Sequence, residues 1–272
     1  MIRLDLHVRQ KRFRSPATVA LEDLRFAVAP GEFAAIVGPS GAGKTTLLNV
    51  VAGLDTEFDG ELRLENSDPA RHEEAPRLGF VFQQPRLMPW LTVLDNIRLV
   101  LQESDQAREM ARSILADVGL EDFEGAFPGQ LSGGMQRRVA LARSFVVRPD
   151  LLLMDEPFLS LDDPTAWRLR GQLVALWEEC RPTVLFVTHD LREALTLADR
   201  VLFLSERPGR VILDHGIDIE RPRSYMDPRV AELHQRLLAE HPTLLSGQAG
   251  GGDRRTAGDA EIESNPRPRV LP

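Results

Sequence analysis

With a single cysteine, Cys180, the chain cannot form an intrachain disulfide or a metal cluster built on cysteine. Thiol usage of that kind fits a reducing compartment, so a cytoplasmic setting is expected. Nowhere does the chain hold about eighteen consecutive apolar residues, the length a membrane-crossing helix needs. The opening Met1-Ile2-Arg3-Leu4-Asp5-Leu6-His7 includes an acid and has no continuous apolar stretch, so no secretory signal is expected there. Positive charge is in deficit: 33 Lys and Arg stand against 41 Asp and Glu, a net charge of −8, which argues against broad nucleic-acid binding. Lys11, Arg12 and Arg14 form one local basic patch, and a short charge run of this kind reads as a solvated loop. No solenoid repeat is visible. What remains, 43% hydrophobic and 27% charged residues over 272 positions, is a globular chain with ample core.

The organising stretch is Gly38-Pro39-Ser40-Gly41-Ala42-Gly43-Lys44-Thr45, which fits Gly, four residues, Gly-Lys-Ser/Thr. Its glycines let backbone N–H groups converge on phosphate oxygens, and the helix after them turns its positive end toward the same anion. Lys44 then reaches the β- and γ-phosphates of a nucleotide, and the Thr45 hydroxyl reaches Mg²⁺. The context agrees: Phe33 to Val37 reads as a buried strand, and Lys44 to Ala52 as a helix ended by Gly53.

Along the chain, residues 2 to 8 and Val19 to Val28 read as an antiparallel pair beside the main sheet, with Phe13 on a polar stretch between them. Phe13 either stacks on an adenine ring or simply packs. Leu78 to Phe82 reads as a strand that delivers Gln83 to its end, and Gln84 to Trp90, with Pro85 and Pro89, as a constrained connector. From Leu91 to about Val147 the spacing of Leu94, Ile97, Leu101, Met110, Ile114 and Leu115 predicts an inserted helical subdomain. Ser132 is the expected cap of its last helix. Leu151 to Met154 and Thr183 to Thr188 have the look of parallel strands joined by a helix, ending in Asp155-Glu156 and His189-Asp190. Ligands of such sheets gather at the carboxyl ends of strands, where Lys44, Gln83, Asp155 and His189 all fall. Asp155 is expected on Mg²⁺ and Glu156 on the attacking water. His189 is expected to donate to a γ-phosphate oxygen, and the Gln83 amide to serve the metal and the water. Ser132, Gly133 and Gly134 at a helix start form a second anion site, useful to both chains if two copies pair head to tail.

Taken together these motifs resemble the ATP-binding subunit of an ABC transporter, over residues 1 to about 220. The resemblance makes Gly38 to Thr45 the Walker A loop, with Thr46 beside it, and Gln83 the Q-loop glutamine. It makes Leu131 to Met135 the signature motif and Leu151 to Asp155 with Glu156 the Walker B strand and catalytic glutamate. Ser160-Leu161-Asp162 resembles the D-loop, which puts Asp162 at the nucleotide interface, and His189 the switch histidine. Phe13 occupies the place of an adenine-stacking aromatic. The implied fold is α/β: a P-loop ATPase core with a mostly parallel sheet, an N-terminal antiparallel β subdomain and the helical insertion at about 91–147. The ATPase domain is expected over 1–245 and a disordered tail over 246–272.

Pro85 to Val93, Asp155-Glu156-Pro157-Phe158 and Ser205-Glu206-Arg207-Pro208-Gly209-Arg210 are similar to the nitrate, sulfonate and taurine group of importers. Asp163-Pro164-Thr165-Ala166 departs from that group's usual Thr-Arg continuation. The resemblance implies ATP and Mg²⁺ as cofactors, a second ATP-binding subunit and membrane permease subunits as partners, and a substrate-binding protein met only indirectly. It implies a peripheral place on the cytoplasmic face of the membrane and no nucleic-acid partner. Trp90 is either an interface anchor or a packing residue. Rival readings are an ATPase of the same type with a soluble partner, and a nucleotide-binding regulatory module without turnover. The first lacks its expected long coiled-coil insertion or second ATPase domain; the second is opposed by Glu156, Gln83 and His189 being present together.

Overall fold

The computed structural model describes residues 1–67, 71 and 74–248. Its first layer is antiparallel: β1 (Ile2–Arg14) lies between β2 (Ala17–Val28) and β4 (Asp59–Asn66). Ile2, Leu4, Leu6 and Val8 alternate inward along β1, as period-two patterning requires. Register shifts after Val8 against β4 and after Lys11 against β2 then break the alternation. Such bulges re-aim side chains. One result is that Lys11 is buried, its ammonium held by the Asp55 carboxylate at 2.6 Å and the Glu57 carbonyl at 2.7 Å. The solvated-loop reading of Lys11, Arg12 and Arg14 is therefore corrected: they lie on a strand, and Lys11 is an interior ion pair. Phe13 too lies on β1, opposite Thr18, rather than on a polar connector.

The second sheet has the order β5-β6-β7-β3-β8-β9, built from β3 (Phe33–Val37), β5 (Leu78–Val81), β6 (Leu151–Asp155), β7 (Thr183–Thr188), β8 (Arg200–Leu204) and β9 (Val211–Gly216). All neighbours are parallel except β8 and β9, which form a hairpin. Every residue of β3, β6 and β7 is buried, so their continuous apolar runs reflect packing on both faces. Alternate residues of β3 serve opposite layers. Ala34 and Ile36 join β1, β2 and helix α1 (Lys44–Val51) in one core. Phe33, Ala35 and Val37 join helices α5 (Asp163–Cys180), α6 (Leu191–Leu197) and α7 (Pro228–Glu240) in the other. Phe33 meets Trp177 edge to face at 5.8 Å there, and the buried indole N–H donates to the Pro182 carbonyl.

Helices α2 (Val93–Arg98), α3 (Asp105–Asp117) and α4 (Gly133–Phe145) occupy the region that the spacing predicts to be helical. Thr92, Ser104 and Ser132 cap them, each side-chain oxygen accepting from a backbone N–H in the first turn. Trp90 stands 71% exposed on the connector before α2, so it is not a packing residue. At the other end, a short turn at Leu244–Ser246 returns the chain to the carboxyl end of β8, where the Gly247 carbonyl accepts from the Glu206 N–H. The disorder expected of the tail concerns residues that, from 249 onward, lie outside the described ones.

Candidate functional site

The loop from β3 to α1 bends where only glycine bends easily: φ is +81° at Gly41 and +91° at Gly43. A Cβ on Gly43 would also stand 2.7 Å from the Leu21 side chain and 2.9 Å from the Ala20 carbonyl. Lys44 opens α1, almost fully buried, and its ammonium donates to the Gly38 and Pro39 carbonyls at 2.8 and 2.9 Å. Burial pushes the Lys44 pKa down, and Glu156 and Asp155 pull it back up.

Thr45 donates its hydroxyl proton to Asp155 Oδ2 at 2.8 Å. Burial pushes the Asp155 carboxyl up, and the Thr45 hydrogen bond opposes it. A buried carboxylate touching a threonine hydroxyl is a pair of hard oxygen donors, the kind of set that Mg²⁺ takes. Gln83 comes after β5, the strand beside β6, and leaves the sheet at the same end as Asp155. It is exposed there.

Glu156 links the loop to the third strand. Its carboxylate lies 4.0 Å from the Lys44 ammonium and 3.1 Å from His189 Nδ1, and its backbone N–H donates to the Val187 carbonyl. The pairing of β6 with β7 sets their ends side by side, which is why residues 33 positions apart meet. Glu156 has φ +45°, a conformation a side chain rarely adopts.

A cavity of about 420 Å³ opens over this cluster. Ser40, Gly41, Gly43, Lys44, Thr45 and Thr46 form its floor, with Glu156 at one side. Phe13, 40% exposed, stands on the wall contributed by the β1–β2 hairpin. The structure also lines the cavity with Arg207, a residue that the sequence marks only as part of the Ser205 to Arg210 stretch shared with that importer group. The signal that finds it is topological: β8 pairs in parallel with β3, so the residues after Leu204 emerge beside the loop after Val37. No local pattern carries that information.

Of the residues expected at the site, Gln83, Asp155, His189, Ser132, Gly133, Gly134 and Asp162 do not line this cavity; Asp155 and His189 reach it through their hydrogen bonds to Thr45 and Glu156. Gly134 and Asp162 share Thr165 as a neighbour, and Ser132 caps the helix that carries Gly134. Asp162 caps α5 by accepting from the Thr165 N–H at 3.2 Å, and a Cβ on Gly134 would stand 2.5 Å from Thr165 Cγ2.

Comparison with known proteins agrees with the geometry. The family described as ABC transporter matches residues 21–159. The aliphatic sulfonates import ATP-binding protein SsuB 2 of Streptomyces avermitilis is 48% identical over 218 residues, 80% of this chain and 83% of that protein. The SsuB protein of Escherichia coli, of the same description, is 44% identical over 81% of this chain and 84% of its own length. Among solved structures, a dimeric ATP-binding cassette in a post-hydrolysis state bound to ADP and Pi superposes with a TM-score of 0.66 and 31% identity, over 81% of this chain and all of that one.

Proposed function

The chain belongs to the ABC transporter family, and from that premise we propose that it is the ATP-hydrolysing subunit of an importer for a small solute such as an aliphatic sulfonate, nitrate or taurine. It works from the cytoplasmic face of the membrane, as a head-to-tail pair docked on permease subunits that receive solute from a binding protein. The observation that carries this reading is the convergence of Lys44, the Thr45–Asp155 pair and the Glu156–His189 pair at the carboxyl ends of β3, β6 and β7, with Lys44, Thr45 and Glu156 lining one cavity and Asp155 and His189 held to it through Thr45 and Glu156.

Each residue has a task set by its position. The loop amides from Ser40 to Thr46 cradle the phosphate chain, and Lys44 exchanges the Gly38 and Pro39 carbonyls for phosphate oxygens. Thr45, Asp155 and Gln83 would hold Mg²⁺, which when bound neutralises charge on the β- and γ-phosphates. Glu156 orients the attacking water and accepts its proton. His189, with the nitrogen facing Glu156 carrying its proton, keeps the carboxylate aimed and reaches the γ-phosphate with its other edge. Phe13 stacks on the base. Ser132, Gly133, Gly134 and Asp162 complete the cavity of the partner copy, since they stand apart from the cavity of their own chain.

Support for the membrane partner comes from Trp90, a bulky aromatic 71% exposed on the connector beyond Gln83. Interface anchors are enriched in such residues. The test is co-purification of the tagged chain from detergent-solubilised membranes of its source. A multi-spanning protein at matched stoichiometry, which raises ATP turnover and takes up labelled sulfonate in vesicles, supports the reading. ATP hydrolysis accompanied only by soluble proteins would sink it. Trp90→Ala is expected to lose the membrane partner while the isolated chain hydrolyses ATP at its original rate.

A further inference from the structure

The tip of the β8–β9 hairpin, Arg207-Pro208-Gly209, is pressed against the phosphate loop. Gly209 donates its N–H to the Ala20 carbonyl at 2.9 Å and accepts from the Glu22 N–H at 3.2 Å. A Cβ on Gly209 would stand 2.1 Å from the Ala42 carbonyl, so only glycine permits this approach. Beyond it, Arg210 pairs with Glu22, and on the near side the Glu206 N–H is taken by the Gly247 carbonyl. The hairpin tip is thus pinned to the N-terminal sheet, to the end of the described chain and to the loop itself.

Arg207 stands at that tip. Its Nε donates to the Gly41 carbonyl at 3.1 Å, and Nη2 lies 3.2 Å from where a Gly41 side chain would begin. The guanidinium therefore lies over the loop at the turn that shapes the cavity, and it lines that cavity with Lys44. Its neighbours in the hairpin are neutralised: Arg200 pairs with Glu32 and Asp214, and Arg210 with Glu22. Arg207 has no carboxylate within ion-pairing distance among the described residues, and its Nη groups have no hydrogen-bond acceptor there. A guanidinium fixed at one nitrogen, with its remaining N–H groups directed into an anion cavity, matches a phosphate fork in both charge and shape.

We propose that Arg207 is a nucleotide-binding residue that grips the phosphate chain from above Gly41, making the tip of the β8–β9 hairpin part of the site. The inference rests on the nucleotide reading of the cavity and adds a residue to it. Because Gly41 fixes the guanidinium before any ligand arrives, little side-chain freedom is lost on binding.

The test is the affinity of the full chain for ATP and ADP, measured by displacement of a fluorescent nucleotide, together with the melting temperature of each variant. Arg207→Ala and Arg207→Gln are expected to bind both nucleotides about tenfold more weakly, a difference of about 1.4 kcal/mol. Arg207→Lys should recover most of that loss, and no variant should melt lower than wild type without nucleotide. Glutamine is the discriminating substitution, because it keeps a donor for Gly41 but not the charge. Wild-type affinity in Arg207→Gln would overturn the proposal, as would an affinity loss matched by a fall in melting temperature. Failure of the wild-type chain itself to bind ATP would instead remove the nucleotide reading, and this inference with it.

Discussion

Glu156 holds a left-handed backbone conformation at φ +45°, which costs about 1 to 3 kcal/mol in a residue other than glycine. The strain persists because the N–H is tied to Val187 and the carboxylate lies between Lys44 and His189, so the turn aims the acid into the cavity. Glu156→Gln keeps that turn and its volume but cannot accept a proton. ATP turnover is therefore expected to fall by about 100-fold or more, while ATP-dependent pairing on a sizing column is retained; turnover within a few fold of wild type would rule out Glu156 as the base. Asp150 makes a different argument at the same scale. Burial alone would push its carboxyl up, but hydrogen bonds from Arg77 and Arg71 overcome that and hold its pKa far below the usual carboxylate range. A depressed folded-state pKa stabilises the fold above the unfolded value and loses that contribution as the pH falls through the folded one. Asp150→Asn is thus expected to cost about 2 to 3 kcal/mol near neutral pH, with the gap to wild type closing as denaturation is followed below about pH 4. Glu156 is legible in the chain because it stands at a fixed offset from an apolar run. Lys11 and Arg207 are not, because their roles come from a bulge and from a strand pairing more than 160 positions away.

Helix α4 shows what an element's start can do beyond capping itself. Ser132 satisfies its first turn, and Gly134, two residues on, lets α5 approach so closely that a methyl there would meet Thr165 Cγ2 at 2.5 Å. Alanine within a helix ordinarily stabilises it relative to glycine by about 1 kcal/mol. Gly134→Ala is expected to do the reverse, destabilising the chain by about 1 to 3 kcal/mol through overpacking. The double variant Gly134→Ala with Thr165→Ser, which removes the obstructing methyl, should regain stability and melt at or above wild type. A stabilised Gly134→Ala single variant would show that α4 and α5 are not held at this spacing. The same element marks the limit of sequence reading. The Ser132 cap and the helical period are local and can be read off; that Gly134 and Asp162 share Thr165 as a neighbour depends on how two helices cross, which no spacing encodes. β1 is the parallel case among strands, for its alternation is legible to residue 8 and the strand runs to Arg14.

For the molecule as a whole, the division of the expected site into two clusters has a consequence for activity. Lys44, Thr45 and Glu156 line the cavity, whereas Gly134 and Asp162, which meet at Thr165, and Ser132, which caps the helix of Gly134, do not. On the proposed reading the chain completes its site only with a second copy, and in a two-fold pair each cavity takes its missing half from the other subunit. Mixing experiments distinguish this from a self-sufficient chain. One variant carries Lys44→Ala with an intact second cluster; the other carries Ser132→Arg with an intact cavity. Each alone is expected to be inactive. In an equal mixture half of the pairs are mixed, and each mixed pair holds one cavity with both halves intact and one with both damaged. Turnover should then return to up to about a quarter of the wild-type value. If each chain used its own Ser132, every cavity in the mixture would carry one lesion and no activity would return. Recovery would therefore assign the second cluster to the partner's nucleotide without any structure of the pair, and its absence would require both halves to meet within one chain.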